Sequence, residues 1–136
     1  MTRREAREQA FALLFEKSFH ADNSMKEIID MNIEFGTIED DEFANSLAIQ
    51  AWDKLEEIDA LIEKYAIGWR KNRISRVSLA VLRLAICEML CREDIPASVS
   101  INEAVELCRK YASEEEYSFV NGILGTVARN IESAGE

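Results

Sequence analysis

The stretch RVSLAVLRLAICEMLC, Arg76 to Cys91, sets the architecture. Val77, Leu79, Ala80, Val81, Leu82, Leu84, Ala85, Ile86, Cys87, Met89 and Leu90 leave it no broad polar face. A helix that is apolar on all sides is one surrounded by other helices, so this segment belongs at the centre of the molecule. Ser75 can cap its start. Asp94-Ile95-Pro96 ends it, because the residue before a proline is pushed out of the helical region.

Upstream lies a basic connector, Trp69 to Arg76, holding Arg70, Lys71, Arg73 and Arg76, with Gly68 stopping the helix before it. In that preceding helix Phe43, Leu47, Ala51, Leu55, Ile58, Ile62 and Tyr65 recur at three- and four-residue steps. Asp53, Lys54, Glu56, Glu57, Glu63 and Lys64 occupy its other face, which makes it one long amphipathic helix. The acidic run Thr37 to Glu42 opens it at the positive end of the helix dipole. A short helix is expected from Ser24 to Asn32, closed by Phe35-Gly36. The first helix runs from Thr2, its N-cap, to Phe19, with Ala6, Ala10, Leu13, Leu14 and Lys17 at helical spacing and Phe11, Phe15 and Phe19 widening the apolar side.

Downstream, Ser100 with Glu103 reads as a capping box for a helix to Tyr111, and Ser113 with Glu116 as a second box for a last helix to Asn130. Residues 131–136 are expected to fray. The reading is all-α: six or seven helices in two small bundles packed around residues 76–91. The N-terminal subdomain covers about residues 1–66 and the C-terminal one about 67–130, within a single domain of 136 residues. A single proline and five glycines leave little turn chemistry for a protein of many strands.

The net charge of -10 argues against a protein that coats nucleic acid by bulk electrostatics. The charge is segregated, however: residues 1–20 carry +1, 21–63 carry -11, 64–92 carry +6 and 93–136 carry -6. The three cysteines, Cys87, Cys91 and Cys108, lie in apolar helical patterns and His20 is the one histidine, so no metal-ligand spacing is assembled. Reduced thiols and a cytoplasmic location are expected. The apolar run Ala10 to Phe15 is broken at Glu16-Lys17 and shows no leader cleavage pattern, and no stretch approaches the ~20 apolar residues of a membrane span.

Enzyme readings find no support. His20 has no nucleophile at a recognisable motif. Glu103 and Glu106 lack the Glu-x-x-His repeats of a di-iron site. The glycines never reach phosphate-loop spacing. No catalysis and no cofactor are expected. Arg3, Arg4 and Arg7 are more informative, because basic groups in a first turn oppose the dipole at a cost of roughly 0.3–1 kcal/mol each. A phosphate would reverse that cost; neutralisation by Glu5 and Glu8, with Arg4 paired to Glu8, is the alternative. The basic connector is either a second cationic surface or a solvated loop. Trp69 reads as a core anchor. Tyr117 and Phe119 either stack an unpaired base or pack in the core.

Several strings together resemble the NusB family. Arg3-Arg4-Glu5-Ala6-Arg7 opens an apolar helix, Val81-Leu82-Arg83-Leu84-Ala85 with Glu88 precedes Asp94-Ile95-Pro96, and Val99-Ser100-Ile101-Asn102-Glu103-Ala104-Val105-Glu106-Leu107 precedes Phe119-Val120-Asn121-Gly122-Ile123-Leu124. The likeness covers nearly the whole chain, most strongly residues 69–125. It implies a transcription antitermination factor that binds boxA RNA of nascent ribosomal RNA leaders with ribosomal protein S10. That complex joins the RNA polymerase elongation complex with other factors and suppresses premature termination. The resemblance places RNA contacts at Arg3, Arg4, Arg7 and Phe119. The S10 contact is expected on the exposed side of the central helix, around Arg76, Ser78 and Arg83. Ser118 stands where the family commonly has a basic residue, and Glu114, Glu115 and Glu116 crowd the RNA surface. Weak RNA binding without S10 is therefore expected. A protein–protein adaptor that docks through the acidic residues 39–64 and binds no RNA is the competing reading, and a homodimer is left open. An accessory domain of an RNA-modifying enzyme is a third reading, and it lacks a nucleotide-binding unit in this sequence.

Overall fold

The computed structural model describes residues 1–66 and 74–134. These form α1 (Arg3–Lys17), α2 (Met25–Glu34), α3 (Glu42–Asp53), α4 (Leu55–Tyr65), α5 (Arg76–Cys91), α6 (Ala97–Tyr111) and α7 (Glu114–Ala134), with no strand among the described residues. The connector with Gly68, Trp69, Arg70, Lys71 and Arg73 lies outside them. Side-chain chemistry sets most of the helix starts. Thr2 with Glu5 and Ser24 with Glu27 form reciprocal capping boxes. Asp41 caps α3 and Ser75 caps α5. Ser113 and Glu116 exchange the same pair of bonds at the head of α7. Gly36, at φ 74°, supplies the left-handed turn that releases the chain from α2.

The central position of α5 holds. It packs against α1, α3, α4, α6 and α7, and every residue from Ala80 to Glu88 is buried. Its apolar groups meet Leu13, Leu14, Leu47, Ile58, Ile62 and Leu124 in one continuous core.

Three expectations need correction. The long helix through residues 43–65 is broken at Lys54, whose backbone leaves the helical region at φ -101° and ψ 20°. The break serves two sets of neighbours, since α3 packs on α1 and α5 while α4 packs on α5 and α7. Ser100 does not cap α6: the helix begins three residues earlier, behind Pro96, and the Ser100 hydroxyl donates to Glu88 at 3.0 Å. The final helix continues past Asn130 to Ala134.

Charge is also buried where the sequence reading expected an exposed stripe. Arg83 is only 6% exposed, its Nε and Nη2 each 2.9 Å from the Asp59 carboxylate of α4. Ser78 is 1% exposed and donates to Glu116. The supposed outer face of α5 at these two positions is interior, because α4 and α7 cover it.

Candidate nucleic-acid interface

The head of α1 carries the three arginines, and each has a different environment. Arg3 is exposed, its guanidinium 4.0 Å from the centroid of the Phe43 ring. Arg92, at the end of α5, approaches the same ring at 5.2 Å and hydrogen-bonds Ser46 and Gln50. Arg4 is exposed and forked onto Glu103 of α6, with Nε and Nη2 at 3.0 and 3.1 Å. Arg7 is buried, its Nη2 2.7 Å and Nε 2.9 Å from Glu88 of α5. The Arg4–Glu8 pairing offered as the alternative is absent, since Glu8 accepts instead from Lys110 and Tyr111.

Those contacts set α6 alongside α1 in the same direction: Glu103 faces Arg4, Lys110 faces Glu8, and the Tyr111 ring lies 5.1 Å from Phe11. Between the two helices runs a groove of about 360 Å³, lined by Arg4, Glu8, Glu103, Glu106, Arg109 and Lys110, with Arg7 at its floor. Arg109 also borders a second hollow with Ser113 and Tyr117, where its Nη2 donates to the Tyr117 hydroxyl at 3.2 Å. Ser113 borders a third hollow, with Ser75, Ser78, Glu116 and Phe119. Shared lining residues therefore join the arginine tip to Phe119 along one surface path.

The path is long. Arg76 donates to the Ser18 carbonyl at 2.7 Å, which places the start of α5, and with it the Phe119 hollow, at the far end of α1. From Arg4 to Lys17 the helix rises about 20 Å, at 1.5 Å per residue. Phe119 is half-buried against the core. The two ends do not meet directly; the end of α6 bridges them. Arg109 and Lys110 do not stand out in the sequence because cations in a last turn already suit the helix dipole. Only the tertiary pairing of α6 with α1 turns them toward the arginine tip.

Electrostatics keep these groups charged. Lys110, and after it the Tyr111 hydroxyl, hold the Glu8 carboxyl below its ordinary value, and Glu8 in turn raises Lys110. Hydrogen bonding to Glu103 raises Arg4. Of the three glutamates near Phe119, Glu116 is turned inward: Ser75 first, then the Ser113 backbone, hold its carboxyl low. Burial pushes the Cys108 thiol up to about 11 and Cys87 higher still, so these act as core side chains. Among the described residues no group of His, Cys, Asp and Glu could hold a metal, and no helix is long and apolar enough to cross a membrane.

Fold and surface together define an all-helical protein with a groove of paired cations and carboxylates between α1 and α6. The NusB family model matches residues 4–129. The chain is 44% identical over 130 residues to the transcription antitermination protein NusB of Acetivibrio thermocellus, covering 95% of this chain and 90% of that protein. The protein of the same name from Ruminiclostridium cellulolyticum is 41% identical, with the same coverage. Among solved structures, T. maritima NusB superposes with a TM-score of 0.81 at 35% identity, covering 95% of this chain and 92% of that one. A structure of antitermination factors NusB and NusE in complex with double-stranded RNA matches with a TM-score of 0.82 at 29% identity, covering 94% and 96%. The chain belongs to the NusB family.

Proposed function

We propose that this chain is an RNA-binding transcription antitermination factor. As a single RNA-binding domain it grips boxA RNA of nascent ribosomal RNA leaders together with ribosomal protein S10. It joins the RNA polymerase elongation complex with other antitermination factors and suppresses premature termination. It works in the cytoplasm, and by binding rather than by catalysis. The observation that carries this reading is the continuous surface from Arg4 through Arg109 and Lys110 to Phe119. The names of the relatives, and the neighbour bound to NusE and RNA, support it.

In this reading Arg3 and Arg4 contact phosphates at one end, Arg109 and Lys110 in the middle, and Phe119 stacks a base at the other. Arg7, being buried, holds α1 in place through Glu88 rather than touching RNA. Arg76, exposed beside Phe19, is the S10-facing candidate that remains at the surface. Ser78 and Arg83 support that face from inside.

The test is a fluorescence-anisotropy titration of boxA RNA by the S10 complex at several salt concentrations. Replacing Arg3 and Arg4 by Ala weakens binding and flattens the log–log salt slope by roughly 0.7 for each phosphate no longer neutralised. Phe119→Ala weakens it by roughly 1–3 kcal/mol, the worth of one stacked base. An adaptor docking through residues 39–64 would be indifferent to all three substitutions, so unchanged titrations would favour that reading.

A further inference from the structure

Three cations of the groove between α1 and α6 are already occupied by carboxylates of the same molecule. Arg4 engages Glu103 through two parallel N–H···O bonds of 3.0 and 3.1 Å, the geometry in which a guanidinium also takes a phosphate. Lys110 Nζ lies 2.6 Å from Glu8, which accepts from Tyr111 as well. Arg109 Nη1 lies 3.1 Å from Glu106. In the first two pairs the carboxylate is the more enclosed partner: side-chain exposure is 17% for Glu103 against 68% for Arg4, and 32% for Glu8 against 60% for Lys110. The cations stay open to solvent above the acids that hold them.

Building on the RNA reading above, we infer that Glu103 and Glu8 stand at phosphate positions of the groove and tune its affinity for RNA. An incoming strand must displace them, exchanging one anion for another on each cation. Such an exchange is easy, because an exposed ion pair contributes little and its cation keeps a partner throughout. Glu8 does not vacate the site by protonation at neutral pH, since Lys110 and Tyr111 hold its carboxyl low. Competition by another anion is the remaining route. The arrangement gives a molecule of charge -10 a groove that is closed to stray anions yet open to a chain of correctly spaced phosphates. Several cations engaged together outcompete glutamates that each leave singly.

The experiment compares the wild-type S10 complex with Glu103→Gln, Glu8→Gln, their double variant and a control, Glu34→Gln, each titrated against single-stranded boxA RNA across a salt series. Glu34 is exposed at the end of α2 and lines none of the three hollows, so it reports the generic effect of removing one negative charge. Each of the two groove substitutions is expected to tighten binding by up to about fivefold, the most an exposed ion pair resists, and Glu34→Gln less than about twofold. The salt slope should stay close to that of the wild type, because the same cations end on phosphate in every form, whereas loss of a structural contact would weaken binding rather than tighten it. Equal effects at Glu103, Glu8 and Glu34, or weaker binding on freeing the cations, would overturn the inference while leaving RNA binding intact. Failure of every form, wild type included, to bind the RNA would overturn the RNA reading and this inference with it.

Discussion

Arg4 and Arg7 stand one helical turn apart, yet one lies at the surface and the other is 6% exposed. The difference is the partner each meets. Arg7 finds Glu88, itself 1% exposed, and Ser100 completes the carboxylate's bonding. Nothing local to Arg3-Arg4-Glu5-Ala6-Arg7 indicates which arginine is buried, because the deciding carboxylate lies 81 residues away. Breaking a buried pair from one side leaves a charge stranded in the core. Arg7→Ala should therefore lower unfolding stability by about 3–5 kcal/mol, and Glu88→Ala by a similar amount, as measured by urea denaturation. The double replacement Arg7→Met with Glu88→Leu should cost less than either single change. A fully stable Arg7→Ala protein without RNA binding would instead restore Arg7 to the contact surface.

At the scale of elements, the capping chemistry of α1, α5 and α7 was legible in the sequence. Thr2, Ser75 and the Ser113–Glu116 pair all act as their spacing indicates. Ser100 and Glu103 show the same spacing but serve other helices, Glu88 of α5 and Arg4 of α1, because Pro96 starts α6 one turn early. The break at Lys54 left no glycine or proline to read; it follows from α3 and α4 packing on different neighbours. The caps carry a pH signature. Hydrogen bonds from the backbones of Thr2 and Ser24 depress Glu5 and Glu27, and Ser75 leads the bonds that depress Glu116. Carboxyls lowered in the folded state stabilise it above their unfolded value and lose that contribution as pH falls through the folded one. Stability should thus drop as pH falls below 4.5, the ordinary carboxyl value. Glu5→Gln or Glu116→Gln should flatten that drop in denaturation midpoints measured against pH. An unchanged profile in both variants would remove the caps as its source.

For the whole molecule, the apolar pattern of residues 76–91 was enough to place the central helix, since a segment without a polar face has nowhere else to go. The proposed RNA path was only half legible. Its two ends, the arginine tip and Phe119, stand out in the sequence, but their connection depends on α6 lying beside α1, and Arg4 and Glu103 are 99 residues apart. The acidic balance of the chain sets the remaining expectation: without S10 the protein should bind boxA RNA weakly and with a shallow salt dependence, since few cations face the strand. In the complex, RNA should follow one path from the head of α1, across the end of α6, to Phe119. Amide-resonance mapping of the S10 complex on addition of boxA RNA reads that path residue by residue. Perturbations should run unbroken through Arg4, Lys110, Ser113 and Phe119. Changes confined to residues 39–64, or two separate patches with α6 silent between them, would contradict it.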